Sequence, residues 1–505
     1  MNRRDFIKNS LAVGICGVAV ASGQSPRRRP NILWITMDDA RADTLGCYGR
    51  SWAKTPHMDA IAARGVRFET AIVQNPVCVP SRWSMKSGHY PHTFNSMEMG
   101  KPAVVVPAYA SRAREVPNLL TAWTRVGMAP VNVGKTHAYT RDWGYQQDVP
   151  MDFDVFGRPR DARLAAKLKD AGCTYPAVVT KTHGWAIGGV VPMEPRETAT
   201  GRLGDLAVKV LGNLIDKDEP FFLRVSFHAP HVACHVPKSH FIDPAKIDLP
   251  VPTQEELASK PRFEREQLRV YAGGLDLTSE QIGIARGTYY GMVSLVDDQV
   301  GRLVDCLHKA GILDSTIVAI NSDQGWQLGE HGLWKKRVLY DDNVKAPLVL
   351  SCPALLPRGK VIDEPVEMID FVPTLMDLSG LEVPNTIAGR SLMPLIRGDV
   401  TRWREACFCE IDHSLSMYDE LRERSGRQIM VRTKEWKLIW FMDERVADKD
   451  GALYNLKDDP GEKVNLYGRP EHAGVIDYLE RLGREWDRAM EDRSGIYPTR
   501  EVTNP

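Results

Sequence analysis

Four short apolar runs in this chain each stop at a cluster of reactive polar side chains. No other feature constrains the fold as tightly. Ile32-Leu33-Trp34-Ile35-Thr36-Met37 runs into Asp38-Asp39, and Val131-Asn132-Val133 into Gly134-Lys135-Thr136-His137. Phe221-Phe222-Leu223-Arg224-Val225-Ser226-Phe227 runs into His228-Ala229-Pro230-His231, and Thr316-Ile317-Val318-Ala319-Ile320 into Asn321-Ser322-Asp323-Gln324. Short β-branched and aromatic runs without a clean polar face predict strands buried on both sides. Helical patterns lie between them. Residues 56–64 open with Pro56 and stop before Gly65, as first-turn and C-cap preferences require. Residues 285–310 place Val293, Val296, Val300, Leu303 and Leu307 at three- and four-residue spacing and end at Gly311. This alternation predicts an α/β fold, a mostly parallel central sheet flanked by helices on both faces. Ligands of such sheets gather beyond the carboxyl ends of the strands, so all four polar endings converge on one edge.

The texture changes near residue 400. Short strands are expected at 428–433, 436–441 and 452–456, and an amphipathic helix at 470–490. The expected division is a main unit over 27–400 and a smaller α+β subdomain with a small antiparallel sheet and a helix over 401–505. Residues 138–200 and 232–280 are rich in Pro and Gly and poorly periodic, and loops of that length in compact domains are usually functional. A chain of 505 residues has ample room for a core. Its 65 basic and 65 acidic side chains balance, so no global basic field exists to coat a nucleic acid. A small anionic ligand needs only a local cluster.

The first residues read as a transport signal. Arg3-Arg4-Asp5-Phe6-Ile7-Lys8 precedes an apolar run from Leu11 to Ala21, and small residues follow at Ser22 and Gly23. That run is shorter than the about 20 residues a membrane span needs. The paired arginines resemble a bacterial twin-arginine signal, and an ordinary basic secretory signal is the alternative. Residues 1–23 are expected to be removed, leaving no transmembrane anchor and placing the protein in the periplasm or beyond. Of nine cysteines, Cys407 and Cys409 have one residue between them and no matching second pair. That is not a zinc spacing, and folding in a reducing cytoplasm disfavours disulfides.

Asp38, Asp39 and Asp323 bring three carboxylates to one edge, which is costly unless a cation holds them. Oxygen ligands of this kind suit Ca²⁺ or Mg²⁺, and Gln324 offers a further amide oxygen. An Asp-Asp pair taken alone also serves as a turn or helix cap. Cys78-Val79-Pro80-Ser81-Arg82, with Ser87-Gly88 beyond, is open to two readings. If the segment is helical, Arg82 lies one turn from Cys78 and lowers its thiol pKa. Otherwise Cys78 is a buried structural thiol.

Cys-x-Pro-Ser-Arg followed by Ser-Gly resembles the signature of formylglycine-dependent sulfatases, within the alkaline phosphatase superfamily. Nearly the whole chain shares the likeness. The strand ending in Asp38-Asp39, Gly134-Lys135-Thr136-His137, Pro230-His231 and Ser322-Asp323-Gln324-Gly325 all resemble family motifs. The run from Gly325 to Gly332 is similar to a subgroup containing iduronate sulfatases and bacterial polysaccharide sulfatases. The family lysine aligns with Lys336, with Lys335 as second choice. Leu453-Tyr454-Asn455-Leu456 and Asp459-Pro460-Gly461-Glu462 resemble the family's C-terminal subdomain. Position 324 departs from the pattern, being Gln where the family has Asn or His.

The resemblance implies that Cys78 is oxidised to formylglycine before folding, by a formylglycine-generating enzyme, and that its hydrate attacks sulfur. It assigns Asp38, Asp39, Asp323 and Gln324 to a calcium or magnesium ion, Arg82 to the ionised hydrate, and Lys135 and Lys336 to the sulfate oxygens. His137 is expected to orient the hydrate and His231 to protonate the leaving oxygen, with His228 ranked below it. The expected activity is hydrolysis of sulfate esters on a sulfated carbohydrate by a protein that met the export machinery. A phosphonate or phosphate ester hydrolase and a non-catalytic glycan-binding protein with unmodified Cys78 are the alternatives. Trp185, His183, Trp334 and Arg337 stand near or within segments able to line the pocket.

Overall fold

A computed structural model of the chain describes residues 28–94, 118–136, 147–149, 178–179, 186–232, 234–271, 277–400, 402–413, 426–442 and 450–493. The segment read as a signal, His137, His183 and Trp185 lie outside these residues.

The central sheet has eight strands in the order Lys360–Ile362, Val66–Phe68, Leu348–Ser351, Thr316–Ser322, Asn31–Asp38, Phe222–Pro230, Val131–Gly134 and Gln147–Val149. The four runs singled out in the sequence are its four adjacent middle strands, and every pairing among them is parallel. Leu348–Ser351 alone runs against its neighbours, antiparallel to strands on both sides. The absence of alternation in the apolar runs is explained by cover on both faces. Ile32 and Trp34 pack on one side with Trp123 and Phe371. Leu33, Ile35 and Met37 pack on the other, under the helices Ala199–Ile215 and Ser279–Lys309.

The helix expected at 56–64 spans Pro56–Ala63. The one expected at 285–310 begins earlier, at Ser279, behind a capping box formed by Thr278 and Gln281. Its first turns carry glycines because neighbouring backbone crosses closely there. A Cβ on Gly287 would lie 2.3 Å from the Ile242 carbonyl oxygen, and one on Gly291 2.4 Å from that of His240. The described residues of the segment 232–280 hold more structure than its composition suggests, including the helices Gln254–Ser259 and Arg262–Tyr271.

The C-terminal sheet has four antiparallel strands, not three. Cys407–Asp412 precedes Arg427–Arg432, Trp436–Phe441 and Gly451–Asn455, and the helix Ala473–Arg493 follows. The described cysteines are all free thiols. Among the described residues no helix is long and apolar enough to cross a membrane.

Candidate active site

The carboxyl ends of the middle strands and the start of one helix build a single buried cluster. Asp38 ends its strand, and Asp39 turns the chain away in the left-handed region (φ 67°). That conformation is uncommon for a non-glycine residue and is stored at functional sites. Several groups hold it. The Asp39 N–H donates to Asp323 Oδ1 at 3.0 Å, the Ala40 N–H to Ser322 Oγ at 2.9 Å, and the Tyr289 hydroxyl to the Asp39 carbonyl at 2.5 Å. Sequence reasoning gave Ser322 and Tyr289 no role, and Tyr289 lies on a distant helix with no local motif to mark it.

Cys78 opens the helix Cys78–Ser87, whose ten residues are all buried although half are polar. They are buried against the site. Arg82 Nε lies 2.6 Å from Asp323 Oδ2, its guanidinium reaches Ser226 Oγ at 3.2 Å, and Ser81 Oγ donates to the Asp323 carbonyl. Lys135 pairs with Asp38. Lys336 Nζ sits 2.8 Å from Asp39 Oδ1 and 3.4 Å from Cys78 Sγ. His231 Nδ1–H donates to the Val232 carbonyl at 2.6 Å, leaving Nε2 3.6 Å from Asp39 Oδ2. The His228 ring lies 4.8 Å from that of His231. The structure thus brings together Asp38, Asp39, Cys78, Arg82, Lys135, His231, Asp323, Gln324 and Lys336. Lys336, not Lys335, makes the contact with Asp39. Trp334 is 1 % exposed and belongs to the core, so it packs and does not line a pocket. Trp326, quoted in a motif but given no role, lies between two site residues, 5.6 Å from Lys336 Nζ and 6.1 Å from the His231 ring.

Arg82 pulls the Cys78 thiol pKa down as expected, but the net shift is upward. Burial raises it, and the help from Lys336 and Arg82 is outweighed, with Asp323 and Asp39 adding to the rise. Arg82 spends its charge on Asp323. Burial raises the Asp39 carboxyl to about 6 against the pull of Lys336. Burial also opposes ionisation of Asp323, but Arg82, Lys336 and Lys135 outweigh it and hold that carboxyl below its usual range. Burial, with Lys135 and Lys336 nearby, pushes His231 well below the ordinary imidazole value, so its neutral form carries a lone pair on Nε2.

The cluster fits a hard metal ion. Ligand atoms of Asp38, Cys78 and Asp323 all lie within 4.8 Å of one another. Asp38 Oδ1, Asp39 Oδ2 and Gln324 Oε1 are buried without a hydrogen-bond partner. Gln324 donates its amide N–H to Asp39 Oδ1, which leaves its own Oε1 as a ligand atom. A buried unsatisfied polar atom costs about 1–3 kcal/mol, and three such oxygens on neighbouring strand ends call for a shared partner.

Fold and site define a hydrolase of anionic esters on an alkaline phosphatase-like scaffold. A profile of the family described as Sulfatase matches residues 30–381, and one described as N-sulphoglucosamine sulphohydrolase, C-terminal, matches 329–486. The chain belongs to the sulfatase family and is a sulfuric ester hydrolase. It is similar to the arylsulfatase of Clostridium perfringens (26% identity, covering 90% of this chain and 93% of the relative). It is likewise similar to the N-acetylglucosamine-6-O-sulfatase of Bacteroides thetaiotaomicron (26%, 96% and 91%). Among solved structures it matches the phosphonate monoester hydrolase from Silicibacter pomeroyi with a TM-score of 0.74 (25% identity, covering 92% of this chain and 96% of that one). It also matches a protein solved with its substrate D-glucosamine-2-N,6-O-disulfate, with a TM-score of 0.68 (22%, 92% and 99%).

Proposed function

We propose that this is an exported, formylglycine-dependent sulfatase that removes sulfate from a carbohydrate, a polysaccharide or glycosaminoglycan fragment. The observation that carries the reading is the set of three buried oxygens without a hydrogen bond, on Asp38, Asp39 and Gln324, around Cys78 and Lys336. The relatives' sugar sulfates support the substrate class.

Asp38, Asp39, Asp323 and Gln324 would hold a divalent cation, with Ca²⁺ preferred and Mg²⁺ the alternative. When bound, the cation polarises sulfate oxygens and favours an ionised oxygen nucleophile. Residue 78, as formylglycine, supplies that nucleophile in its hydrated form. Charge matching supports the assignment. Asp38, Asp39 and Asp323 are balanced by Arg82, Lys135 and Lys336, so a divalent cation leaves the site two charges positive. A sulfate monoester and an ionised nucleophile carry two negative charges. Lys135 and Lys336 bind and orient the sulfate oxygens and stabilise charge that grows during transfer. Arg82 holds Asp323 in place and neutralises the nucleophile. His231 Nε2 takes up the proton released as the hydrate of residue 78 ionises and delivers it to the leaving sugar oxygen. His137 is assigned to orienting residue 78.

The test pairs two measurements on the purified protein. Released sulfate is measured on defined sulfated mono- and oligosaccharides, and the tryptic peptide 68–82 is weighed for conversion of Cys78. Release from one linkage fixes the sugar and the position. Full conversion with no release, combined with turnover of phosphonate monoesters, moves the assignment to the second reading, which the phosphonate hydrolase likeness favours. An intact thiol at residue 78 with glycan binding and no turnover would establish the non-catalytic alternative. The export signal, a generating enzyme that acts before folding and a periplasmic location belong to the same proposal. N-terminal sequencing of protein from the periplasmic fraction tests them, with a start after residue 23 expected.

A further inference from the structure

The loop that carries Lys336 is closed at its base by two aromatic rings. His331 and Tyr340 stack with centroids 3.8 Å apart and planes 10° from parallel. Inside this loop the backbone is strained. His331 (φ 58°), Lys335 (φ 115°) and Arg337 (φ 81°) all lie in the left-handed region. Each such non-glycine residue costs on the order of 1–3 kcal/mol and persists only where surroundings over-determine it.

The surroundings come from two distant parts of the chain. Two helices of the 232–280 segment supply Glu256, which bonds His331 Nδ1 at 2.9 Å, and Glu264, which accepts from the Tyr340 hydroxyl. Lys260, between those helices, donates to the same hydroxyl at 2.8 Å. The C-terminal sheet supplies Tyr454, 3.4 Å from that hydroxyl, and holds the next residue as well. The Asp341 N–H donates to Glu462 at 2.6 Å, and the Asp341 carboxylate is held by Lys437 at 2.5 Å and by Arg432 at 3.0 Å. Between these fixed ends, Lys336 extends to Asp39 and Cys78.

We propose that the His331–Tyr340 stack, anchored by the C-terminal sheet, is the positioning device that delivers Lys336 to the reaction centre. His331 and Tyr340 are positioning residues, because they act through Lys336. The consequence for turnover rests on the role of Lys336 proposed above, whereas its placement does not. Misplacing a reacting group by about 1 Å costs on the order of 100-fold in rate.

The experiment uses the full chain and 4-nitrophenyl sulfate as probe, with crystal structures of the variants. Tyr340→Leu removes the stack and Tyr340→Phe keeps it. Tyr340→Leu is expected to lose about 100-fold in kcat and to show Lys336 Nζ out of hydrogen-bond reach of Asp39. Tyr340→Phe should lose less than about tenfold, since the ring that sets the loop remains. In a Lys336→Ala background, Tyr340→Leu should add nothing, the signature of one residue acting through another. A further loss in that background, or a Tyr340→Leu structure with Nζ still on Asp39, overturns the proposal. If Tyr340→Leu does not fold, Glu462→Gln takes its place with the same two readouts. Wild-type turnover in Lys336→Ala would instead remove Lys336 from the proposed chemistry, and the crystallographic distance would still decide the positioning claim.

Discussion

Two buried groups of charges lie at opposite ends of the Lys336 loop, and they are built differently. At the strand ends, Asp38, Asp39 and Gln324 each keep a buried oxygen without a hydrogen bond. At the junction with the C-terminal sheet, Asp341 engages both carboxylate oxygens with Arg432 and Lys437. In the second group, Arg432 and Lys437 hold Asp341 far below its normal pKa although burial opposes this. The first fits the divalent cation proposed above. Buried charge alone therefore does not mark a reaction centre; what sets the first group apart is several buried oxygens without a hydrogen bond gathered beside Cys78, Lys135 and Lys336.

Substitutions at the two groups should differ most in what they do to turnover. Asp323→Asn is expected to lower sulfate-ester turnover by at least about 10³-fold and to lower stability as well, because it leaves the buried Arg82 without its carboxylate. A rate within tenfold of wild type would break the contrast. Asp341→Asn should act on turnover only through the Lys336 loop, by about 100-fold at most, and mainly on stability. Removing one partner of a buried ion pair costs about 3–5 kcal/mol, and chemical denaturation reads that loss directly. A stability unchanged within error would show that these ion pairs do not hold the junction.

Glu410 tests whether the second type extends further. It is wholly buried against His92 and Arg427 at 2.7 Å from each. Burial works against its charge, but His92 and Arg427 lower its carboxyl from 4.5 to about 2. A depressed acid stabilises the fold fully above its unfolded pKa. That stability is lost as pH falls from about 4.5 through about 2, a contribution of about 3 kcal/mol. Glu410→Gln should flatten the acid limb of the stability curve over that window, and an unchanged slope would refute the assignment.

The smallest expected effect is the most selective. Calcium at 100 times its dissociation constant should stabilise the wild-type protein by about 2.7 kcal/mol. The shift should persist in Asp341→Asn and vanish in Asp323→Asn. A shift retained in Asp323→Asn would place the cation elsewhere.

How much of this was legible in the sequence follows from what each segment buries. The four middle strands were readable because apolar runs end abruptly at reactive residues, and the cluster at their ends followed from parallel topology. The helices Gln254–Ser259 and Arg262–Tyr271 escaped because part of what they bury is charged. Glu256, Lys260 and Glu264 are 3 %, 3 % and 2 % exposed at four-residue spacing, and a search for an apolar stripe passes over them. The strand Cys407–Asp412 hid for the same reason, with Glu410 facing inward. The upward net shift at Cys78 has a related cause, since spacing placed Arg82 one turn away but could not reveal Asp323 as its partner.

Cys78 is 0 % exposed, and the groups that enclose it are supplied by residues as late as Lys336. Any enzyme that acts on residue 78 therefore works against a clock set by translation. The intervening stretch takes roughly 10–50 s to synthesise at 5–20 residues per second. Closing the sheet ends that interval, so a chain that folds first would keep an unmodified thiol at residue 78.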